Sequence, residues 1–396
     1  MKLPLLRQTE RQDFVVIDSQ FPQKEPFAFR NTEINEYFKH IENFASYTLC
    51  TTYPDSDAWF SHSYGMSYKQ FKENKRGYLR YYPYNASRIH YLHERRNYHI
   101  GLAYSFFLGE TYVLLPFYEK HHIPFVFTLY PGGAFGLDHE QSDIMLRKLF
   151  QSPMFRGVIV TQKITEDYLL RTKLCPADKI TYIYGGFIQF KKSELKPKRR
   201  YKKDKTTFDI CFVAAKYSEK GVDKGYDLFI AAAKKLCQST EDIMFHVVGG
   251  FDENDIDVSD ISSRIRFYGY QRPDFFLDFF AGMDIFLSPN RPFKLTPGNF
   301  DGFPLGIDAG YSGVGMFIAD ELNMNRYYKN DDEIVIIPLD VEKITSIVLR
   351  YYHDPDRLYE LSERGRAVFQ RLYDTDHQIS ERMKLFAKLI NLKVTA

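Results

Sequence analysis

Cysteine is scarce in this chain, and long apolar runs are missing. The four cysteines, Cys50, Cys175, Cys211 and Cys237, fall into no zinc or redox spacing. Cys211 sits in an apolar run and Cys237 ends a helical pattern. They read as reduced packing residues, which suits a cytoplasmic protein. No apolar stretch reaches the roughly 18 residues that a membrane-spanning helix needs. The opening segment "MKLPLLRQTERQDF" is too polar for a secretion signal. Neither sign of charge is in excess: 53 Lys and Arg stand against 51 Asp and Glu, a net charge of +2. That balance gives no global reason to expect a nucleic-acid partner. The G-x-x-x-x-G-K-[ST] phosphate loop does not occur, and no repeat of fixed short period is found.

Aromatic residues, by contrast, are plentiful, with 35 Phe and 30 Tyr. A large core absorbs Phe, but so much Tyr implies amphipathic surfaces such as clefts or interfaces. The 396 residues suit two domains. Short apolar runs read as strands over 13–18, 45–52, 87–93, 123–130, 156–161 and 179–186. Between them lie helical patterns over 32–44, with Thr32 as cap, 140–151 and 163–174. A further one, "ETYVLLPFYEKHH", contains Pro116, which should kink or split it. A second alternating series starts at "TFDICFVA" (207–214) and closes in a helical tail over roughly 340–392. Strict alternation predicts α/β architecture, with parallel sheets covered on both faces. The expected domains are 1–190 and 207–376. Between them "KKSELKPKRRYKKDK" (191–205) holds nine Lys or Arg against two acids and lacks apolar periodicity. It reads as a basic linker, 191–206, able to touch an anionic membrane surface at the inner face. Two doubly wound halves would face a cleft, and ligands bind at the carboxyl ends of parallel strands.

Two stretches have the chemistry of anion sites. In "VAAKYSEKGVDKGYDLFIAA" a strand end is followed by Lys216, Lys220 and Lys224, and then by an amphipathic helix. Ammonium groups and helix N-terminal amides together would hold a pyrophosphate. In "NFDGFPLGIDAGYSGVG" the turn carries Asp301, Pro304, Leu305, Gly306 and Asp308 between a strand and a helix. Gly302 and Gly306 permit close backbone approach, and Pro304 suits a first helical turn. The acids can accept hydrogen bonds from sugar or ribose hydroxyls.

Three stretches resemble a GT-B glycosyltransferase, in particular glycosyltransferase family four, the retaining nucleotide-sugar enzymes. They are "DKGYDLFIAAAKKL", "MDIFLSPNRPFKLTPGNFDGFPLGIDAGYSGV" and "DPDRLYELSERGRAVFQRLYDTDH". "IPFVFTLYPGG" and "KITYIYGGF" resemble the family's N-terminal half more loosely. The resemblance spans roughly residues 120–390. It implies two Rossmann-like doubly wound domains, with the last helix, 377–396, crossing back to the first. It implies transfer of a hexose-type sugar from a nucleotide-diphosphate sugar to a glycan, lipid-linked or protein acceptor, with retention. Neither cofactor nor metal is expected. Lys216 and Lys224, or Lys220 in place of Lys224, would bind the donor phosphates. Backbone amides near Leu305 and Gly306 would meet the phosphate or sugar. Asp301 matches the family's first acid, on the transferred sugar, and Asp308 the second, on the ribose. Both are Asp where the family has Glu, and their spacing is one residue short. In the first half Tyr130 stands where the family often has His, and Gly132 and Gly133 would let the loop approach the diphosphate. His99, before "IGLAYSFF", is a further candidate near a strand end. Asp55 and Asp57 have the Asp-x-Asp spacing of metal sites in the other glycosyltransferase fold, but read as a turn. His90 and His93 would face opposite sides of a strand and share no metal. Two alternatives stay open: a non-catalytic GT-B partner or glycan-binding protein, and a nucleotide-sugar epimerase.

Overall fold

The computed structural model describes residues 12–25, 29–41, 44–48, 65–93, 97–188, 190–293 and 306–391. The chain forms two compact units, one of Met1–Phe187 with Thr375–Ala396 and one of Ile188–Asp374. The first runs β1 (Gln12–Asp18), α1 (Phe29–His40), β2 (Phe44–Thr48), α2 (Tyr68–Tyr78), β3 (Ile89–Tyr91), β4 (Ile100–Phe106), α3 (Leu108–Lys120), β5 (Phe125–Leu129), α4 (Glu140–Gln151), β6 (Phe155–Val160), α5 (Lys163–Arg171) and β7 (Ile180–Tyr182). The second runs β8 (Phe208–Ala214), α6 (Tyr226–Ser239), β9 (Ile243–Gly249), β10 (Ile265–Phe267), α7 (Pro273–Gly282), β11 (Ile285–Ser288), α8 (Ile307–Tyr311), β12 (Gly315–Ile318), β13 (Val335–Ile336), α9 (Val341–His353) and α10 (Pro355–Leu372). The closing helix α11 (Thr375–Asn391) belongs to the first unit.

Both sheets are parallel, in the orders β3-β2-β1-β4-β5-β6-β7 and β10-β9-β8-β11-β12-β13. Each order reverses direction once, at β1/β4 and at β8/β11. Loops leaving neighbouring strands there diverge to opposite faces and open a crevice at the carboxyl edge. The strands are buried on both faces, hence their near-continuous apolar sequences. In the second unit Phe208, Ile210 and Phe212 face one core while Asp209 and Cys211 alternate to the other side.

Two helices differ from their sequence patterns. α1 begins at Phe29, so Thr32 lies inside it and does not cap it. α3 passes through Pro116 as one helix. The missing amide forfeits one bond, but Leu114 and Tyr118, on either side, are buried and hold both turns in place.

The basic stretch packs on the second unit. Lys198 Nζ donates to the carbonyls of Phe280, at 3.0 Å, and Met283, and Arg199 Nη2 donates to that of Asp278 at 3.0 Å. These cations meet the carbonyl-rich end of α7, where positive charge is favoured. Burial lowers the Lys198 ammonium to about 8. Lys205 Nζ bridges Asp209 and Asp284, 2.5 Å from each, and Tyr201 is buried. Lys191, Lys192 and Lys196 stay exposed. Among the described residues no helix is long and apolar enough to cross a membrane.

Candidate functional site

In the second unit four loops are knit together at the carboxyl edge. The loop after β8 folds into a 3-10 turn, Glu219–Lys224, and reaches α6 through Gly225, whose φ is 72°. A Cβ at Gly225 would overlap the Pro289 carbonyl oxygen, so glycine allows the loops after β8 and β11 to touch. Arg291 ties them further. Its amide donates to the Asp223 carbonyl at 2.9 Å, and its guanidinium clamps Asp227 at 2.7 and 3.0 Å. The loop after β9 joins through Phe251, which packs on Tyr226 with ring centroids 4.7 Å apart, and through Asp255, which pairs with Lys216 Nζ. The loop after β10 brings Tyr270, whose hydroxyl accepts from the Lys216 amide at 3.4 Å.

The three candidate lysines stand apart in character. Lys224 is buried, with Nζ 5.6 Å from the centre of the Tyr217 ring. Lys216 is engaged by Asp255, whose hydrogen bond raises the ammonium's proton affinity. Its charge is thereby partly satisfied within the protein. Lys220 is exposed and holds a left-handed φ of 54°. Asp308 lies in the first turn of α8, half-buried. Gly306 is buried just before it, where a Cβ would overlap Met316. Asp301, Pro304 and Leu305 lie outside the described residues, as do Asp55 and Asp57.

Two exposed aromatics on this edge escaped sequence reasoning. Tyr217 is 65% and Tyr270 70% exposed, each just beyond a strand end. Their signal was position alone: a large residue following "VAAK" or "RFYG", where a turn favours small polar ones.

In the first unit the corresponding edge holds two buried charge networks. Asp18, the last residue of β1, accepts the amides of Gln20 and Phe21 at 2.7 and 2.6 Å and pairs with Arg30 at 2.5 Å. Arg30 also reaches Glu110 at 3.2 Å, and Glu110 accepts the Ser19 amide and hydroxyl at 3.0 and 2.7 Å. Burial first, and then the Asp18 charge, push the Glu110 carboxyl up to about 8. In the second network Glu33 accepts from Tyr37 at 2.6 Å, Tyr104 at 2.8 Å and Tyr130 at 3.2 Å, and pairs with Arg382 of α11 at 3.3 Å.

Tyr130 thus serves a buried carboxylate. Burial and Glu33 drive its phenol well above the usual tyrosine range, which removes it as a base. Gly132 and Gly133 follow in left-handed conformations, and the Gly133 carbonyl accepts the Gly109 amide at 2.9 Å, binding this loop to the start of α3. His99 is exposed and sits at the amino end of β4. The strand it precedes runs away from it, so it lies on the edge opposite the ligand-facing loops. His90 stacks on Tyr47 with ring centroids 5.2 Å apart, and the His93 amide donates to the Tyr98 hydroxyl at 2.8 Å.

Comparison with known proteins agrees with this geometry. Residues 207–309, the segment carrying the knit loops, match the family model "Glycosyl transferases group 1". Sucrose-phosphate synthase from Thermosynechococcus elongatus is similar in structure at a TM-score of 0.65 and 14% identity, over 96% of this chain and 100% of that one. HepE of Anabaena, solved with UDP and glucose, is similar at 0.64 and 12%, over 96% and 99%. A glycosyltransferase from Rickettsia africae is similar at 0.62 and 11%, over 96% and 99%. No curated protein matches the chain in sequence. The chain therefore has the GT-B fold.

Proposed function

We propose that the chain is a retaining glycosyltransferase of the family-four kind. It moves a hexose-type sugar from a nucleotide-diphosphate sugar to a glycan, lipid-linked or protein acceptor. The observation that carries this reading is the knit of loops at the β8/β11 reversal, with a buried Lys224 inside the segment that matches the glycosyltransferase model. A diphosphate leaving group needs fixed positive charge and amide donors, and such an edge supplies both. In this reading the bond from the sugar's anomeric carbon to the phosphate oxygen breaks as the acceptor oxygen bonds on the same face. The acceptor proton passes to the departing phosphate. Lys224 stabilises the charge that develops there. Lys216 contributes by sharing its ammonium between Asp255 and phosphate. Asp308 holds the ribose and Asp301 the transferred sugar.

A thermal-shift panel of UDP, GDP, ADP and TDP tests the donor site, with UDP first because HepE was solved with UDP-glucose. Stabilisation by one nucleotide is expected. Release of that nucleotide from its sugar conjugate should be abolished in Lys224→Ala and in Asp308→Ala. Full activity in both variants would sink the assignment. A non-catalytic GT-B partner is the second reading, favoured by the Asp255 carboxylate already engaging Lys216. It expects no stabilisation by any of the four.

A further inference from the structure

Between β2 and β3 the first unit carries a segment that the donor chemistry does not use. Residues 65–93 hold six Lys or Arg, six Tyr and the single acid Glu73. In a chain of net charge +2 this is a strong local bias. The segment sorts its residues by face. Phe71 and Tyr78 turn inward and are buried. Two of the cations are engaged internally: Lys75 Nζ donates to the Ile89 carbonyl at 2.8 Å, and Arg88 donates to the Phe38, Ile41 and Phe44 carbonyls.

The other four, Lys69, Lys72, Arg76 and Arg80, are exposed. At 3.6 residues per turn Lys69, Lys72 and Arg76 fall within about 60° of one another, a stripe about 10 Å long on α2, and Arg80 follows in the turn beyond its end. Glu73 borders the stripe beside Lys69 and Arg76. Among the described residues no carboxylate forms an ion pair with any of the four cations. Like charges stacked this way repel one another, and an anionic partner relieves that repulsion.

Two exposed aromatic rings bracket these cations along the segment, and each is held in place. Tyr68, 51% exposed, packs on Tyr91 at 5.0 Å, with Lys72 Nζ 4.9 Å from its ring centre. Tyr84, 65% exposed, packs on Tyr82 at 6.3 Å, which packs in turn on the buried Tyr78 at 5.1 Å. A ring fixed before binding loses little entropy when a flat apolar face lies on it. Sugar rings offer such a C–H face. A membrane-binding helix would instead insert an apolar stripe, but on α2 Phe71 and Tyr78 are buried in the unit's own core and Tyr68 alone is left as an exposed ring.

We propose that the exposed face of α2 and the turn after it is a binding surface for an extended anionic glycan. Its charged groups meet Lys69, Lys72, Arg76 and Arg80, and its sugar rings lie on Tyr68 and Tyr84. The choice of a glycan over another polyanion rests on the glycosyl-transfer reading; the surface itself is independent of the donor site.

The test is direct binding of the full chain at low salt to oligogalacturonate, with neutral dextran, oligothymidylate and phosphatidylglycerol vesicles alongside. Oligogalacturonate should bind and dextran should not. The triple variant Lys72→Gln, Arg76→Gln, Arg80→Gln should lose at least about tenfold in affinity. Its log affinity should fall with log salt by a slope shallower by about 2–3. Tyr84→Ala should weaken oligogalacturonate binding and leave the salt slope unchanged. Oligogalacturonate binding unaltered in the triple variant overturns the proposal. Tighter binding of oligothymidylate than of oligogalacturonate overturns it in favour of nucleic acid, and retention by vesicles alone in favour of a membrane. The nucleotide thermal shift of the triple variant should equal that of the parent. Glycan binding without any nucleotide shift would refute the donor reading and leave this surface standing.

Discussion

Replacing Arg382 with Met should loosen α11 on the first unit, and the cost can be worked from its surroundings. Arg382 and Glu33 are both fully buried, 3.3 Å apart. Arg382 Nη1 also donates to the Gln378 side chain at 2.8 Å, and its guanidinium lies 4.9 Å from the centre of the Phe187 ring. Methionine replaces the stem's packing but leaves the Glu33 carboxylate in a dry site. Breaking a buried pair from one side costs about 3–5 kcal/mol. Three phenol donors remain on Glu33 and share the charge, which favours the lower end of that range. For a unit of about two hundred residues this lowers the melting temperature by roughly 6–20 °C. Two units of comparable size need not melt together, so global unfolding is the wrong readout. Hydrogen exchange of α11 amides reports the local event, with protease susceptibility as a second measure. The control is Glu33→Gln combined with Arg382→Met. Removing both charges should recover at least about 2 kcal/mol relative to the single variant, because the penalty comes from the unpaired carboxylate. Phe386, stacked 4.6 Å from Phe14, still anchors the helix in both variants. A loss below about 1 kcal/mol in Arg382→Met, or strict additivity in the double variant, would refute the reasoning.

In the second unit, Lys205→Met should cost about 3–5 kcal/mol in urea unfolding, because it strands Asp209 and Asp284 together. Lys191→Met in the same basic stretch should stay within about 0.5 kcal/mol, as an exposed position does. Gly225→Ala should lower the unfolding midpoint and weaken any nucleotide-induced thermal shift, since the Cβ overlaps the Pro289 carbonyl at a left-handed φ. Glu110 supplies a pH signature: its folded-state value of about 8 lies above the ordinary 4.5, so the stability it brings is complete below about 4.5 and is lost as pH rises through about 8. Urea midpoints of the first unit should therefore fall between those limits, and Glu110→Gln should flatten that decline. In the second unit, burial alone would raise the Asp209 carboxyl, but His246 and Lys205 hold it at about 2, so acid should cost stability there only as pH falls from about 3.8 through that value.

What could be read in the sequence was what short-range periodicity encodes. Buried parallel strands announce themselves as apolar runs, and a Lys and Gly cluster beyond such a run marks a carboxyl-edge loop, which is how the segment from Lys216 to Gly225 stands out. α2 is invisible for the converse reason: "YKQFKENKRGY" turns only Phe71 and Tyr78 firmly inward, too few apolar positions to set a period against so many charges. The basic stretch misleads in a related way. A run of lysines looks solvated because most of its partners, the carbonyls ending α7 and the Asp284 carboxylate, lie far along the chain, and the near one, Asp209, four residues beyond Lys205, sits within a buried strand. His99 does stand beside a strand end, but a sequence pattern does not say which end of the sheet its ligands visit until the strand's direction is fixed. Glu33 and Arg382 set the outer limit of such reading. Each, taken alone, is an ordinary charge on an amphipathic helix, and α1 hides its nature by burying Arg30, Asn31, Glu33, Asn35 and Glu36 together. The apolar residues Ile34, Tyr37 and Phe38 mark the helix, but the polar groups buried beside them carry no sequence signal, and their meaning exists only once a helix from the far end of the chain brings the opposite charge. Tyr130 follows the same logic. Its role at the end of β5 could not be separated from catalysis by sequence, because the carboxylate that claims its hydroxyl is supplied by tertiary structure.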